Sequence, residues 1–241
     1  MDKNNSQKKP IGFTITILIS GIVIAGGIFI SRTNLISDFL NNQNNEKVLE
    51  DSPKIQPISE KDHIIGNPDA DIVVIEYSDF ECPYCKEFHT TMQRLIDEFG
   101  ESSRIAWVYR HLPLDEVHLN AKRVALTSEC VGKLAGENNF WKFTNKIFDN
   151  APQSLLKNNT DIIVQQFGLS PDVVDECIQD PEIIKKVEDD TQDGDYFKQI
   201  DREFGTPYNI IITKTGQTTN VSGAIPYQIL KDFIEQHSLD F

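Results

Sequence analysis

The chain has 241 residues, 37 of them acidic and 23 basic, for a net charge of −14. Lys3, Lys8, Lys9 and Arg32 against Asp2 give the first 32 residues a charge of +3, which leaves −17 on the rest. So acidic a body repels phosphate backbones and anionic membrane faces; this excludes nucleic acid as a partner and favours solubility without naming a substrate.

Residues 11–30 carry no charge and are long enough to cross a hydrocarbon core as one helix. Lysines precede this stretch and only Arg32 follows closely, so the positive-inside bias places residues 1–10 in the cytoplasm and the rest outside. A cleaved signal peptide is the competing reading, although no Ala-x-Ala site follows. Both readings export the bulk of the chain, into a compartment where its four cysteines can form disulfides. Residues 31–60, rich in Asn, Gln, Ser, Glu and Lys with two prolines, read as a flexible linker. Residues 61–241 are the size of one domain, without internal repeats.

Within that domain, Asp71 to Tyr77 read as a strand, its continuous Ile72-Val-Val-Ile75 run suited to burial on both faces. After Ser78 to Glu81, a stripe of Phe88, Met92, Leu95, Ile96 and Phe99 predicts a helix that ends at Gly100. Cys82-Pro83-Tyr84-Cys85 stands at the start of that helix. There the free backbone N–H groups and the helix dipole favour a thiolate, so Cys82 is the expected nucleophile. Cys85, one turn in and on the apolar side, is the expected resolving thiol. A structural or metal-binding pair completed by His89 is the bland alternative. It lacks a second closely spaced ligand pair, and His89 reads as an exposed helix residue.

Arg104 to His111 form a second predicted strand, parallel to the first across the intervening helix. Helices follow over Val117 to about Ala135, Asn139 to Asn150 and Thr160 to Phe167. Ser170-Pro171 and Asp180-Pro181 start two more, the last ending near Gly205. Asp189 to Asp195 resemble a calcium loop but carry Ile200 where the bidentate Glu belongs, so they read as a solvated helix face. Residues 207–214 and 218–222 suggest a hairpin around Thr215-Gly216-Gln217, and Pro226 opens a final helix.

The order βαβ, helices, ββα, with Cys-Pro-Tyr-Cys at the first helix start and Gly205-Thr206-Pro207 before the hairpin, resembles the DsbA-like thiol-disulfide oxidoreductases of the thioredoxin superfamily. The resemblance spans about residues 63 to 237. It implies an α/β thioredoxin fold with a helical insertion at about 115–204, here behind one N-terminal transmembrane helix. It also implies that Glu76, six positions before Cys82, lies buried under Cys85. A carboxyl there has a raised pKa and can relay Cys85's proton; a solvated strand end is the alternative. Thr206-Pro207 matches the family's cis-proline dipeptide, which with Pro83 and Tyr84 would bind an extended substrate by strand addition. Cys130 and Cys177, on apolar helical stripes, are expected to form a structural disulfide, with two buried free thiols or a relay as alternatives. Tyr208-Asn209 after the proline departs from the family pattern and suggests a more polar groove. Tyr84 replaces a histidine found in strongly oxidising members.

The expected function is a monomeric, membrane-anchored enzyme on the outer face of the cytoplasmic membrane. It would donate the Cys82-Cys85 disulfide to newly exported, unfolded proteins and be reoxidised by a membrane partner. No cofactor or metal is expected beyond its own redox-active disulfide. Reduction or isomerisation by the same chemistry in reverse is the alternative. A soft-metal chaperone using Cys82, Cys85 and His89 is a further one.

Overall fold

The computed structural model describes residues 55–238 apart from 103, 153 and 154. The span expected at 11–30 and most of the linker at 31–60 lie outside the described residues. Among the described residues no helix is long and apolar enough to cross a membrane.

Five strands, β1 (His63–Ile65), β2 (Ile72–Ser78), β3 (Ile105–His111), β4 (Tyr208–Thr213) and β5 (Thr218–Ser222), form one sheet in the order β1-β3-β2-β4-β5. β2 runs parallel to β3 and antiparallel to β4. Every residue of β2 and β3 is buried, which accounts for their unbroken apolar character. β1 is an antiparallel edge strand on β3 that the sequence reading lacks. The turn after it needs Gly66: its φ is +96°, and a Cβ there would sit 2.7 Å from the Ile105 carbonyl oxygen.

Among the described residues seven α-helices accompany the sheet: α1 (Pro83–Phe99), α2 (Ala121–Ala135), α3 (Glu137–Asn150), α4 (Lys157–Gln165), α5 (Pro171–Cys177), α6 (Pro181–Ile200) and α7 (Tyr227–His237). The Ser170 and Asp180 side chains accept from the backbone N–H groups of Val173 and Glu182, so both cap-plus-proline starts act as such. α2 begins at Ala121 rather than Val117. The Glu81 carboxylate takes the N–H groups of Asn120 (2.6 Å) and Ala121 (3.0 Å), capping the helix from a distant loop. α6 stops at Ile200, short of Gly205.

Alternation along β2 and β3 gives the two faces of the sheet different neighbours. Val73, Ile75 and Tyr77 join Ala106, Val108 and Phe197 of α6 in one core cluster. Gly194 lets α6 lie against Tyr77 and Leu112, since a Cβ there would approach a Leu112 methyl to 2.9 Å. On the opposite face Trp107 packs against His89 of α1 and Trp141 of α3.

Two expectations are corrected on the α6 side. Asp190 and Asp193 are buried, not part of a solvated helix face. Asp193 receives Arg110 Nη1 (2.8 Å) and the Tyr77 hydroxyl, while Asp190 accepts from the His111 N–H (3.0 Å) and pairs with Lys186. Arg110 also binds Asp62 (2.8 Å) and the Gln56 carbonyl (2.9 Å). Packing of the domain therefore begins at Ile55 and Ile58, inside the segment read as linker.

Cys130 of α2 and Cys177 at the end of α5 are joined by a disulfide, their Cα atoms 5.9 Å apart. It closes a loop of sequence separation 47, and the chain entropy this removes from the unfolded state is worth up to ~4 kcal/mol. Cys130→Ala with Cys177→Ala should lower the denaturant midpoint accordingly while leaving the potential of the other cysteine pair unchanged. Retained stability with lost redox activity would indicate a relay instead.

Candidate active site

β2 ends at Ser78, and a short loop delivers Cys82 to the N-cap of α1, with Pro83 at the first helical position. Proline fits there because its missing N–H would have no intrahelical partner. Cys85 lies on the face shared with Phe88, Met92 and Leu95 and is fully buried. Both thiols are free, so the structure is that of the dithiol. Cys82 Sγ donates to the Thr206 carbonyl at 3.2 Å. The Asp79 N–H points at Cys85 Sγ, 3.3 Å away.

These surroundings split the two thiols. Cys82 is lowered to about 6, chiefly by the hydrogen bond from the Cys85 thiol; burial opposes this, and Thr206 with the N–H groups of Cys85 and Tyr84 adds to it. Cys85 is pushed well above the usual thiol range, first by burial and then by its hydrogen bond to Cys82 and the charge there. At neutral pH Cys82 is the thiolate and Cys85 holds the shared proton.

Glu76 sits mid-sheet with no exposure, which rules out a solvated strand end. Its Oε2 accepts from Trp107 Nε1 at 2.9 Å, and its Oε1 has no partner among the described residues. Burial pushes its carboxyl up to about 8, against the opposing effect of neighbouring Ser78 and Trp107, so it is protonated at neutral pH.

Thr206-Pro207 is cis and precedes β4. In this dithiol state the Thr206 carbonyl accepts from Cys82 and the Pro207 carbonyl from the Gly223 N–H (2.7 Å). Tyr208 and Asn209 are buried, and Asn209 Nδ2 donates to the Gly223 carbonyl at 2.9 Å, so this dipeptide does not make a surface groove polar. Pro83 and Tyr84 face solvent, Tyr84 62% exposed. His89 is buried, not exposed: its Nε2–H donates to Asn145 Oδ1 (2.8 Å), and burial lowers its imidazole to about 4. It is therefore committed to the core rather than offered as a third ligand beside the two thiols.

The sequence reading passes over three residues beside the pair. Asp79 is buried and accepts from the N–H groups of Glu81 (2.7 Å) and Leu114 (2.7 Å) and from His118 Nδ1 (2.9 Å). Glu81 caps α2, as above. His118 thereby comes to the active-site loop from the segment after β3, a long-range contact with no local signal beyond an acidic residue three positions before Cys82.

Comparisons with known proteins place this geometry. A family model described as Thioredoxin matches residues 58–210, more than half of the chain. A Na(+)/H(+) antiporter NhaA 1 of Mycolicibacterium gilvum is 36% identical over 95 residues, 39% of this chain; the chain spans only 15% of that protein's length. A Rickettsia prowazekii protein bearing the name protein-disulfide oxidoreductase is 28% identical over 160 residues, covering 59% of this chain and 56% of that one. Among solved structures, alpha-DsbA1 of Wolbachia pipientis superposes with a TM-score of 0.62 at 20% identity, over 78% of this chain and 96% of that one. At that identity the likeness is one of fold.

Proposed function

The chain belongs to the thioredoxin family, and from that premise we propose that it is a DsbA-like thiol-disulfide oxidoreductase of exported proteins, anchored by residues 11–30 to the outer face of the cytoplasmic membrane. The observation that carries this reading is the placing of the two thiols, Cys82 at the N-cap of a helix beside the cis Thr206-Pro207 bond and Cys85 fully buried one turn in.

In the oxidised enzyme a substrate thiolate attacks Cys82 Sγ. The Cys82–Cys85 bond breaks, its electron pair leaves on Cys85, and the protonated Glu76 beneath can supply the proton Cys85 needs. A second substrate thiolate then attacks the substrate sulfur of the mixed disulfide and releases Cys82 as a stabilised thiolate. The substrate has lost two electrons and two protons, and the enzyme holds the dithiol seen here. Depressing the leaving thiol's pKa favours the reduced enzyme and hence oxidation of the substrate. A membrane redox partner restores the disulfide, and no cofactor beyond that disulfide is required. Exposed Tyr84, Val117 (70%) and Leu119 (90%), on the active-site turn and the loop tied to it through Asp79, suit apolar segments of unfolded chains.

Oxidised protein mixed with a reduced, unfolded substrate containing one cysteine pair should form one substrate disulfide per enzyme dithiol generated. If it instead opens a preformed substrate disulfide only when supplied with reductant, the reductase reading replaces this one.

A further inference from the structure

Tyr84 occupies the turn position where a histidine would bring a positive charge to the nucleophile, so the Cys-x-x-Cys segment has no cation of its own. The structure brings an imidazole from elsewhere. His118 lies on the loop between β3 and α2, and Asp79 fixes it through Nδ1 at 2.9 Å. Asp79 is itself held by the N–H groups of Leu114 and Glu81, and its own N–H reaches Cys85 Sγ. Asp79 thus ties the imidazole and the loop after β3 through its buried carboxylate, and the resolving thiol through its backbone N–H. The Cys82 N–H joins them by donating to the Asp79 carbonyl at 3.1 Å.

We propose that His118, fixed by Asp79, is the cation that stabilises the Cys82 thiolate, and so sets the oxidising strength of the pair from outside the Cys-x-x-Cys motif. This rests on the oxidoreductase reading above. His118 acts on Cys82 through space, and Asp79 is the positioning residue. The charged groups facing the imidazole are Asp79, Glu81 and Cys82 from the active-site loop, all of which favour its protonated form, while burial opposes it. On its own loop Asp115 is paired with Lys122 at 4.0 Å. The side chain is 24% exposed, so a substrate chain lying across neighbouring Val117 and Leu119 would exclude water from the imidazolium–thiolate pair and strengthen it.

His118→Gln removes the charge and keeps a polar side chain. Thiolate absorbance during a pH titration should then show the Cys82 midpoint about one unit higher, a tenfold change in the thiolate equilibrium. The pair should become more reducing by about 30 mV, the tenfold equivalent for two electrons. His118→Lys should restore both. An unchanged midpoint and potential in His118→Gln, or no recovery in His118→Lys, would overturn the proposal. Should the variants fail to fold, the unaltered protein still decides. Charge coupling is reciprocal, so the His118 ring followed by NMR should titrate at lower pH once oxidation removes the thiolate. Equal midpoints in the two redox states would overturn it as well. If the oxidoreductase reading itself fails, the unaltered Cys82 shows no lowered midpoint at all, which is distinct from a low midpoint indifferent to His118.

Discussion

Cys85→Ser should accumulate mixed disulfides with exported proteins through Cys82, and Cys82→Ser should accumulate none. The asymmetry follows from position. Cys82 is at the helix N-cap with its thiol lowered to about 6, whereas Cys85 has no exposure and is raised well above the thiol range. Only Cys82 meets a substrate sulfur. Without Cys85 the variant has no disulfide to donate; its Cys82 thiolate instead attacks a substrate disulfide, and with no internal thiol to displace the substrate that adduct persists. Turnover in a refolding assay should fall to background in both variants, a loss of several orders of magnitude, because each breaks the disulfide that is the oxidant. Non-reducing gels after acid quench, followed by mass spectrometry of the trapped species, read the result. Equal trapping by the two variants contradicts the assignment of roles.

Glu76→Gln should change how stability depends on pH. A carboxyl raised from 4.5 in the unfolded chain to about 8 in the fold keeps a proton between those values that the unfolded state has lost. Stability therefore falls as pH rises from about 4.5 to about 8. At 1.36 kcal/mol per unit the total for this fully buried group is on the order of 5 kcal/mol. Glutamine can still accept from Trp107 and carries no charge at any pH, so the variant should match the parent near pH 4 and exceed it by several kcal/mol above pH 8. Cys82 has its own linkage of opposite sign, and the difference between parent and variant removes it. Urea unfolding of both reduced proteins at pH 4, 6 and 8.5 gives the comparison; parallel pH profiles would show that Glu76 is not buried as an acid. At neutral pH the variant should also slow the first thiol exchange, since Cys85 loses its proton donor.

The central strand and the nucleophile's helix are readable in the sequence because their signals are local. Ile72 to Ile75 form an unbroken apolar run, the stripe from Phe88 to Phe99 has helical period, and Pro83 marks a first helical turn. Proline after Ser170 and Asp180 likewise marks two helix starts that the structure contains. β1 has only three residues and borrows its conformation from pairing with β3, so no periodicity announces it. His89 carried a usable signal that its chemistry hid: it is four residues after Cys85 and three before Met92, on the buried stripe, but a polar side chain reads as exposed until Asn145 is seen to satisfy it. Asp190 and Asp193 were illegible for a different reason. Their partners Arg110, Tyr77 and Lys186 come from β3, β2 and the preceding turn of α6, and only the tertiary fold makes the burial of those charges tolerable. Asp79 and His118, 39 residues apart, belong to the same class.

The reduction potential of the Cys82–Cys85 couple tests the account most directly, because it converts the stabilisation of one thiolate into the direction of the chemistry. Equilibration of the protein with glutathione buffers, read by the fraction of free thiols, gives the value. An exported oxidase with Cys82 lowered to about 6 predicts a potential on the oxidising side, toward the value near −120 mV of DsbA. A potential close to the thioredoxin value of about −270 mV would contradict it, since such a pair gives electrons to its substrates rather than taking them.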